Sequence, residues 1–229
     1  MIRVVAIDGP AASGKSSTAA AVARRLGLLH VDSGALYRGV TRVALDLGPA
    51  PSVKQILRSA EARGLALRPS DTGAELVLDG RSAEGRIRDA EVTARVSAVS
   101  ALPEVREWVN IRLRGLTSAG RVLVLDGRDI GTAVFPDATV KVFLVATPEV
   151  RAGRRLRQRG ETVTPEQVAE EATRIARRDE ADASREIAPL RPAPDAIQLD
   201  TSVLSFEEQV DRIVALIRGA GLPEGQVTR

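Results

Sequence analysis

The sequence predicts an α/β fold, in which a mostly parallel sheet is covered by helices on both faces. Short apolar runs without polar alternation, typical of strands buried on both sides, alternate with longer helix-forming stretches. The chain has 229 residues, 44% of them hydrophobic but only 2% aromatic, which is enough for one aliphatic core with an inserted lobe. Between about residues 50 and 95 the alternation gives way to polar pieces that contain Gly, and this change marks the lobe.

The first half of the predicted core holds two strand-helix units. The strand RVVAI leads through a loop to the helix SSTAAAVARRLGL. The strand LLHVD leads to the helix SGALYRGVTRVALDLG, which Gly and Pro end. In the lobe, DGR between two β-like pieces indicates a hairpin and a small antiparallel sheet. We therefore expect a core over 1–49 and 96–229 and an inserted lobe over 50–95.

The second half returns to the same alternation. After the lobe, helix-forming sequence returns over 91–116, followed by a buried strand that starts at Val122 and by the strand ATVKVFLVA. Thr147 and Pro148 start a helix as N-cap and first-turn proline, and TPEQ starts the next helix in the same way. DAIQLD is the last strand, and the helix after it opens with a capping box of Ser205 and Glu208.

The composition excludes several classes of function. Without Cys, the chain has no disulfides, no thiolate metal site and no Cys nucleophile. No apolar run approaches the roughly 20 residues that span a bilayer, so we expect a cytoplasmic protein without membrane contact. The net charge is +3, and the basic residues other than Lys15, Lys54 and Lys141 are Arg, which suits bidentate phosphate contacts. Aromatic residues for base stacking are scarce, so we expect small phosphorylated ligands and no nucleic acid.

The stretch GPAASGKSS carries the strongest local signal. It contains Gly-x-x-x-x-Gly-Lys-Ser between a predicted strand and a predicted helix, which is the context that a phosphate-binding loop requires. The glycines let the backbone curl with its N–H groups inward, Lys15 reaches the β- and γ-phosphates, and the Ser16 hydroxyl is placed to bind Mg²⁺. The predicted contacts to a nucleoside triphosphate are Gly9, Pro10, Ala11, Ala12, Ser13, Gly14, Lys15, Ser16 and Ser17.

Elimination narrows the class of nucleotide-binding protein. A GTPase needs Asn-Lys-x-Asp to recognise guanine, but Asn110, the one Asn in the chain, precedes Ile111. Remodelling ATPases are usually larger and have a strand that ends in Asp-Glu, whereas the buried strand here ends in Asp-Gly-Arg-Asp. His30 lies in an apolar strand and is predicted to be packed there rather than catalytic. Small-molecule kinases remain.

The chain resembles the bacterial cytidylate kinase family over almost its whole length. The resemblance is carried by IDGPAASGKSS, DSGALYRG, DGRDIGTAVFPDA and RRDEADASREIAPL, with IR and EV in the inserted lobe. It implies a three-part nucleoside monophosphate kinase that has a phosphate-loop kinase core, a substrate lobe and a small mobile lid, here over 150–165, and that acts as a monomer. It also implies ATP as phosphoryl donor, CMP and dCMP as substrates, and Mg²⁺ as the metal.

The resemblance implies catalytic and binding roles for basic residues, which suit a reaction between two phosphates. The arginines expected around the acceptor phosphate are Arg38, Arg128 and Arg185. The lid arginines expected near the ATP phosphates are Arg151 and Arg155, with Arg154, Arg157 and Arg159 as competing candidates. Ribose contacts map to Arg178 and Asp182, which share a helix face with Arg185 at i, i+4 and i+7; a surface ion-pair ladder has the same spacing.

Base recognition, by the same resemblance, maps to Ser97, Arg106 and Asp129. A carboxylate accepts from the exocyclic amine of cytosine while an Arg donates to N3 or O2, and uracil presents the opposite groups. The residues expected to line the same pocket are Ser33 and Tyr37, although Tyr37 is equally compatible with simple packing. Asp126 is a candidate for the Mg²⁺ site, and an Asp that only shapes a turn is the alternative.

Two other functions stay open at this point. A shikimate- or uridylate-type kinase would keep the phosphate loop and take a different acceptor. A nucleotide-binding switch or RNA-binding module would show no acceptor-dependent turnover, and its affinity for RNA would fall steeply with salt.

Overall fold

The computed structural model describes residues 3–70 and 73–225. The strands are β1 (Val4–Asp8), β2 (Leu29–Asp32), β3 (Ala66–Pro69), β4 (Ala74–Leu78), β5 (Arg81–Ser82), β6 (Leu123–Gly127), β7 (Val140–Val145) and β8 (Ile197–Asp200). The helices are α1 (Lys15–Leu26), α2 (Ser33–Asp46), α3 (Val53–Ala62), α4 (Ala90–Ala101), α5 (Pro103–Gly115), α6 (Pro148–Gln158), α7 (Pro165–Ala183) and α8 (Phe206–Gly219). One π-helical turn covers Ile130–Val134.

The central sheet confirms the predicted fold class. Its strand order is β2-β6-β1-β7-β8, and every neighbouring pair is parallel. Along β1, Val4 and Ala6 join an apolar cluster with α2, α4 and α5, whereas Val5 and Ile7 join a second cluster with α1 and α8. Each large aliphatic side chain that leaves water in these clusters contributes about 1.5–3 kcal/mol. Helices therefore cover both faces of one buried sheet.

The helix starts that the sequence predicts are present. Thr147 caps α6 with a proline in the first turn, Thr164 caps α7, and Ser205 caps α8. These side chains satisfy helix N–H groups that have no partner within the helix, and each cap contributes about 1 kcal/mol. No helix in the described ranges is long and apolar enough to cross a membrane.

The inserted segment contains the predicted antiparallel sheet and one helix that the sequence analysis missed. Strands β3, β4 and β5 pair antiparallel, and the β4–β5 hairpin turns at Asp79 and Gly80, both with positive φ. Helix α3 precedes this sheet. Its available signal was a capping box formed by Ser52 and Gln55, followed by Ile56 and Ala60 as its buried residues.

The helix-forming sequence predicted over 91–116 is confirmed, and it is divided into two helices. Helix α4 ends at Ala101 and α5 begins at Pro103. Leu102 between them has extended backbone, which is the conformation that a following proline favours. The lobe boundary predicted at residue 95 falls inside α4, which packs against α2 and α7. The division of the chain into core and lobe stays a prediction.

Candidate active site

A cleft of ≈ 870 Å³ opens where the carboxyl ends of β1, β2 and β6 lie side by side. Its size is within the range of small-ligand sites, and its place is where open parallel sheets bind ligands. The predicted residues that line it are Ala11, Ala12, Gly14, Lys15, Ser16, Ser17, Ser33, Tyr37, Arg38, Arg106, Asp126, Arg128, Asp129, Arg155, Arg178, Asp182 and Arg185. The predicted residues outside its lining are Gly9, Pro10, Ser13, Ser97 and Arg151.

The phosphate loop keeps its curled backbone through close packing. A Cβ on Gly9 would stand 2.5 Å from the carbonyl oxygen of Leu144, so no side chain fits there. Gly14 has a left-handed backbone (φ 90°) at the N-cap of α1, a state that costs other residues about 1–2 kcal/mol. Helix α1 begins directly at the cleft, and its free N–H groups and dipole favour an anion there.

Lys15 is the buried cation of this loop. Its Nζ donates to the carbonyl oxygen of Pro10 at 3.1 Å. Burial, together with the nearby charge of Arg128, lowers the pKa of Lys15 to about 7. An anionic ligand beside the ammonium group would oppose both effects, because an opposite charge favours the protonated amine.

Ser16, Asp126 and His30 form a hydrogen-bonded chain at the start of α1. The Ser16 hydroxyl donates to one carboxylate oxygen of Asp126, and His30 Nε2 lies 2.8 Å from the other. Asp126 is buried within β6, so it does not form a turn. A hydroxyl and a carboxylate beside a phosphate loop fit Mg²⁺, which binds few protein oxygens and takes its other ligands from phosphates and water.

His30 is packed in β2 as predicted, but its ring also has a polar partner that the sequence analysis missed. Burial disfavours the charged imidazole, yet the hydrogen bond and the charge of Asp126 outweigh this and raise the pKa of His30. The His30 ring is hydrogen-bonded to the carboxylate oxygen of Asp126 that does not contact Ser16. This hydrogen bond therefore orients the Asp126 carboxylate.

Four arginines crowd the cleft beside the phosphate loop: Arg38, Arg128, Arg178 and Arg185. Arg128 donates through Nε to Asp182 at 3.0 Å and through Nη1 to the carbonyl oxygen of Gly9 at 3.2 Å. Burial and the charge of Arg128 lower the pKa of Arg178 to about 10. The buried Nε of Arg178 has no hydrogen-bond partner among the described residues. Cations that disfavour one another's charge in this way are stabilised by an anion.

Helix α7 ends at Ala183, so Arg185 lies beyond the helix that was predicted to carry it. The carbonyl oxygen of Asp182 accepts from the backbone N–H of Leu190 at 2.9 Å, because the chain turns back instead of continuing the helix. Arg185 nevertheless pairs with the Asp182 carboxylate. The predicted grouping of Arg178, Asp182 and Arg185 is therefore present, but one shared helix face does not produce it.

Asp129 and Arg106 form a buried ion pair in the cleft. The Arg106 guanidinium carbon lies 5.5 Å from the centroid of the Tyr37 ring. Burial raises the pKa of Asp129, against the opposing charge of Arg106. Arg106 Nε and the Tyr37 hydroxyl are buried without hydrogen-bond partners in the described ranges. Unpaired buried polar atoms are costly, so these two indicate a place for a polar ligand.

Ser100, rather than Ser97, lines the cleft next to this pair. Its hydroxyl accepts from Arg185 Nη2 at 3.0 Å and donates to the carbonyl oxygen of Ser97 at 3.1 Å, while its own carbonyl oxygen accepts from Arg106 Nη1 at 3.1 Å. Ser100 is not among the residues predicted from the sequence. The two serines stand three residues apart in α4, on neighbouring positions of one helix face, so spacing alone does not separate them.

Three of the four arginines of α6 occupy different places. Arg155 lines the cleft, and its Nε lies 3.0 Å from the buried Glu171. Arg154 donates to Thr201 Oγ1 at 3.0 Å and, with Arg155, lines a smaller pocket of ≈ 390 Å³ beside the phosphate loop. Arg151 lies outside the lining of both pockets.

Asp8 is a buried carboxylate that the sequence analysis left unassigned. Its oxygens accept from the backbone N–H groups of Ile130 at 2.9 Å and Gly131 at 2.8 Å, so it holds the segment that directly follows Asp129. Burial raises the pKa of Asp8 to about 7, and the charge of Asp129 adds to the rise.

The Asp8→Asn variant should gain stability relative to the unchanged protein as the pH rises. The pKa of Asp8 is 3.8 in the unfolded chain and about 7 in the folded protein. Between these two pH values the folded protein binds a proton that the unfolded chain has released. The contribution of Asp8 to stability therefore falls as the pH rises from about 4 to about 7. Relative to the unchanged protein, the free energy of unfolding of Asp8→Asn should rise by about 2 kcal/mol between about pH 5.5 and about pH 8. Urea unfolding at both pH values measures this. A difference that does not depend on pH would contradict it.

Comparisons with known proteins identify the family of the chain. The sequence profile of the family described as cytidylate kinase matches residues 5–219. A cytidylate kinase from Geobacillus sp. is 45% identical over 93% of this chain and 95% of its own length. One from Streptomyces griseus is 41% identical over 94% of this chain and 93% of its own length. A bifunctional pantoate ligase/cytidylate kinase from Synechococcus sp. is 47% identical over 94% of this chain and 44% of its own length. With these matches over nearly the whole sequence, the chain belongs to the cytidylate kinase family.

Proposed function

We propose that this chain transfers the γ-phosphoryl group of ATP to CMP or dCMP, giving ADP and CDP or dCDP. The observation that carries the proposal is one continuous cleft that joins the phosphate loop, the four crowded arginines and the buried Asp129–Arg106 pair. The loop suits the polyphosphate of the donor, the arginines suit the phosphate of the acceptor, and the ion pair suits a base.

The Asp129–Arg106 pair suits cytosine through the polarity of its hydrogen bonds. Asp129 would accept from the exocyclic amine, and Arg106 would donate to N3 or O2, for which its unpaired Nε is available. Uracil would place a carbonyl against the carboxylate and an N–H against the guanidinium. Because the pair is buried, each mismatch leaves a desolvated group without a partner, and such sites reject analogues strongly.

Phosphoryl transfer at this site needs cations more than a general base. The acceptor phosphate has a second pKa near 6, so it is mostly dianionic at neutral pH and needs no deprotonation. Lys15, Arg128 and Arg185 would hold the two phosphates together and stabilise charge on the transferred group. The bond between the γ-phosphorus and the ADP oxygen breaks as the acceptor oxygen bonds to that phosphorus, in line and without a covalent enzyme intermediate.

Ser16 and Asp126 would hold Mg²⁺ at the phosphate loop, Ser16 as a direct ligand and Asp126 through the hydrogen bond that it accepts from Ser16. When bound, the metal would neutralise part of the charge on the β- and γ-phosphates. Closure of the predicted lid over the cleft would exclude water, so that ATP is not hydrolysed before the acceptor is in place.

Turnover of ATP to ADP with separate acceptors tests the function. CMP, dCMP, UMP, AMP and shikimate are offered one at a time in a coupled assay. We expect kcat/KM for CMP and dCMP to exceed that for UMP and AMP by about a hundredfold or more, because only cytosine matches the buried ion pair. Equal use of UMP and CMP would keep phosphoryl transfer and overturn the base assignment. Absence of any acceptor-dependent turnover would favour a nucleotide-binding switch.

A further inference from the structure

Arg151 lies outside the cleft, although the resemblance placed it near the ATP phosphates. The side chain is buried at the start of α6. Its Nη1 donates to the carbonyl oxygen of Ala11 at 3.1 Å, and its Nε donates to the carbonyl oxygen of Ala146 at 3.1 Å. It also forms an ion pair with Asp179 of α7. These contacts hold the guanidinium against backbone.

Asp179 completes the arrangement around the same loop residue. Its Oδ1 accepts from the backbone N–H of Ala11 at 2.8 Å, and its other oxygen accepts from Arg151. Both backbone polar groups of Ala11 are thus held by two side chains that also hold each other. The Ala11 methyl group is buried against Ala152 of α6 and Ile175 of α7, so the same two helices also enclose it by packing.

The peptide that Arg151 holds is the one that leads into a strained residue. Ala12 has φ 58°, a left-handed conformation that residues with a Cβ rarely adopt. The carbonyl of Ala11 belongs to the peptide bond between Ala11 and Ala12, so the hydrogen bond from Arg151 fixes the orientation of that peptide. Left-handed residues in such loops turn successive N–H groups to one side and form a concave site for anions.

We propose that Arg151 and Asp179 are positioning residues that hold the phosphate loop in the shape that receives ATP and do not touch its phosphates. The proposal rests on the proposed function in one respect, namely that this loop binds the phosphates of ATP. It makes α6 and α7 the supports of the loop: α6 contains residues 150–158 of the predicted lid over 150–165, and α7 begins at the last residue of that lid. It replaces the direct phosphate contact that the resemblance implied for Arg151.

Binding measurements on full-length variants test this. Arg151→Ala, Asp179→Ala and the double variant are titrated with MgATP and, separately, with CMP by calorimetry. The exposed neighbours on α7 provide matched controls, Arg177→Ala and Glu180→Ala. We expect each single variant to bind MgATP about tenfold more weakly, because small displacements of positioned groups have large effects, while CMP affinity changes less than twofold.

The double variant separates positioning from direct contact. If the two side chains act as one unit, the double variant should bind MgATP about as weakly as either single variant, because the second substitution removes nothing further. If Arg151 touched the phosphates, its removal would weaken binding again in the Asp179→Ala background, and multiplied effects would overturn the proposal. An unchanged MgATP affinity in the single variants, or an equal loss of MgATP and CMP affinity, would also overturn it.

Conservative variants guard against failure to fold. Asp179→Asn keeps a carbonyl oxygen for the Ala11 N–H, and Arg151→Lys keeps a charge, so both should lose less MgATP affinity than the Ala variants. Thermal unfolding of each variant is measured alongside. Failure of the proposed function has a different signature, because the unchanged protein would then show no binding or turnover of CMP, whereas failure of this proposal leaves MgATP affinity intact in the variants.

Discussion

Replacing Lys15 by Met should lower kcat for phosphoryl transfer by about a thousandfold or more, while the affinity for CMP stays near its original value. Met keeps the length of the side chain and removes its charge. Burial already lowers the pKa of Lys15 to about 7, which means that the fold disfavours this charge. The variant should therefore unfold at the same temperature as the unchanged protein or higher, and its loss of activity would not come from unfolding.

Steady-state turnover at saturating ATP and CMP measures kcat, and calorimetry gives the affinity for CMP. Lys54→Met is the matched control, because Lys54 is an exposed lysine on α3 away from the cleft, and its kcat should stay unchanged. A Lys15 variant that retained a tenth of the original kcat would contradict the role of this lysine at the transferred phosphate.

Local signals explain why much of the core was predictable. The phosphate loop is a contiguous motif, and the capping residues Thr147, Thr164 and Ser205 stand immediately before the helices that they start. Such features depend on a few neighbouring residues. Helix α3 was missed although it has the same kind of cap, because the surrounding Gly-containing and polar pieces favoured a β interpretation of the whole segment.

The parts of the site that were missed depend on contacts between distant elements. His30 meets Asp126 only because β2 lies next to β6 in the sheet, an order that no local pattern indicates. Asp8 meets the backbone of Ile130 and Gly131 for a similar reason. These pairings arise from tertiary packing, so neither residue could be assigned a partner before the fold was known.

The arginines of α6 show the same limit within one helix. Arg151, Arg154 and Arg155 stand within two turns and have identical chemistry, yet the structure gives them different partners. Arg151 contacts the phosphate loop, Arg154 contacts the segment after β8, and Arg155 contacts α7. The Arg residues of the sequence predict that cations lie here. Which partner each of them contacts depends on how α6 packs against its neighbours.

Asp129→Asn should move the acceptor preference from CMP toward UMP. The Asn amide has the shape of the carboxylate but carries both a donor and an acceptor, so it can donate to the carbonyl of uracil, which the carboxylate cannot do. We expect kcat/KM for CMP to fall by about a hundredfold and the CMP/UMP ratio of kcat/KM to fall further, because use of UMP should rise. Asp137→Asn is the control, since Asp137 is exposed in the segment that follows.

The ratio of the two acceptors, rather than either rate alone, decides this experiment. Arg106 loses its counter-charge in the variant, and a buried charge without a partner lowers the free energy of unfolding. Partial unfolding would reduce the rates with CMP and UMP by the same factor, so it cancels in the ratio. A ratio that stays at its original value would show that Asp129 supports the fold of the cleft without reading the base. A ratio that falls in Asp129→Asn and not in the control assigns base recognition to the carboxylate itself.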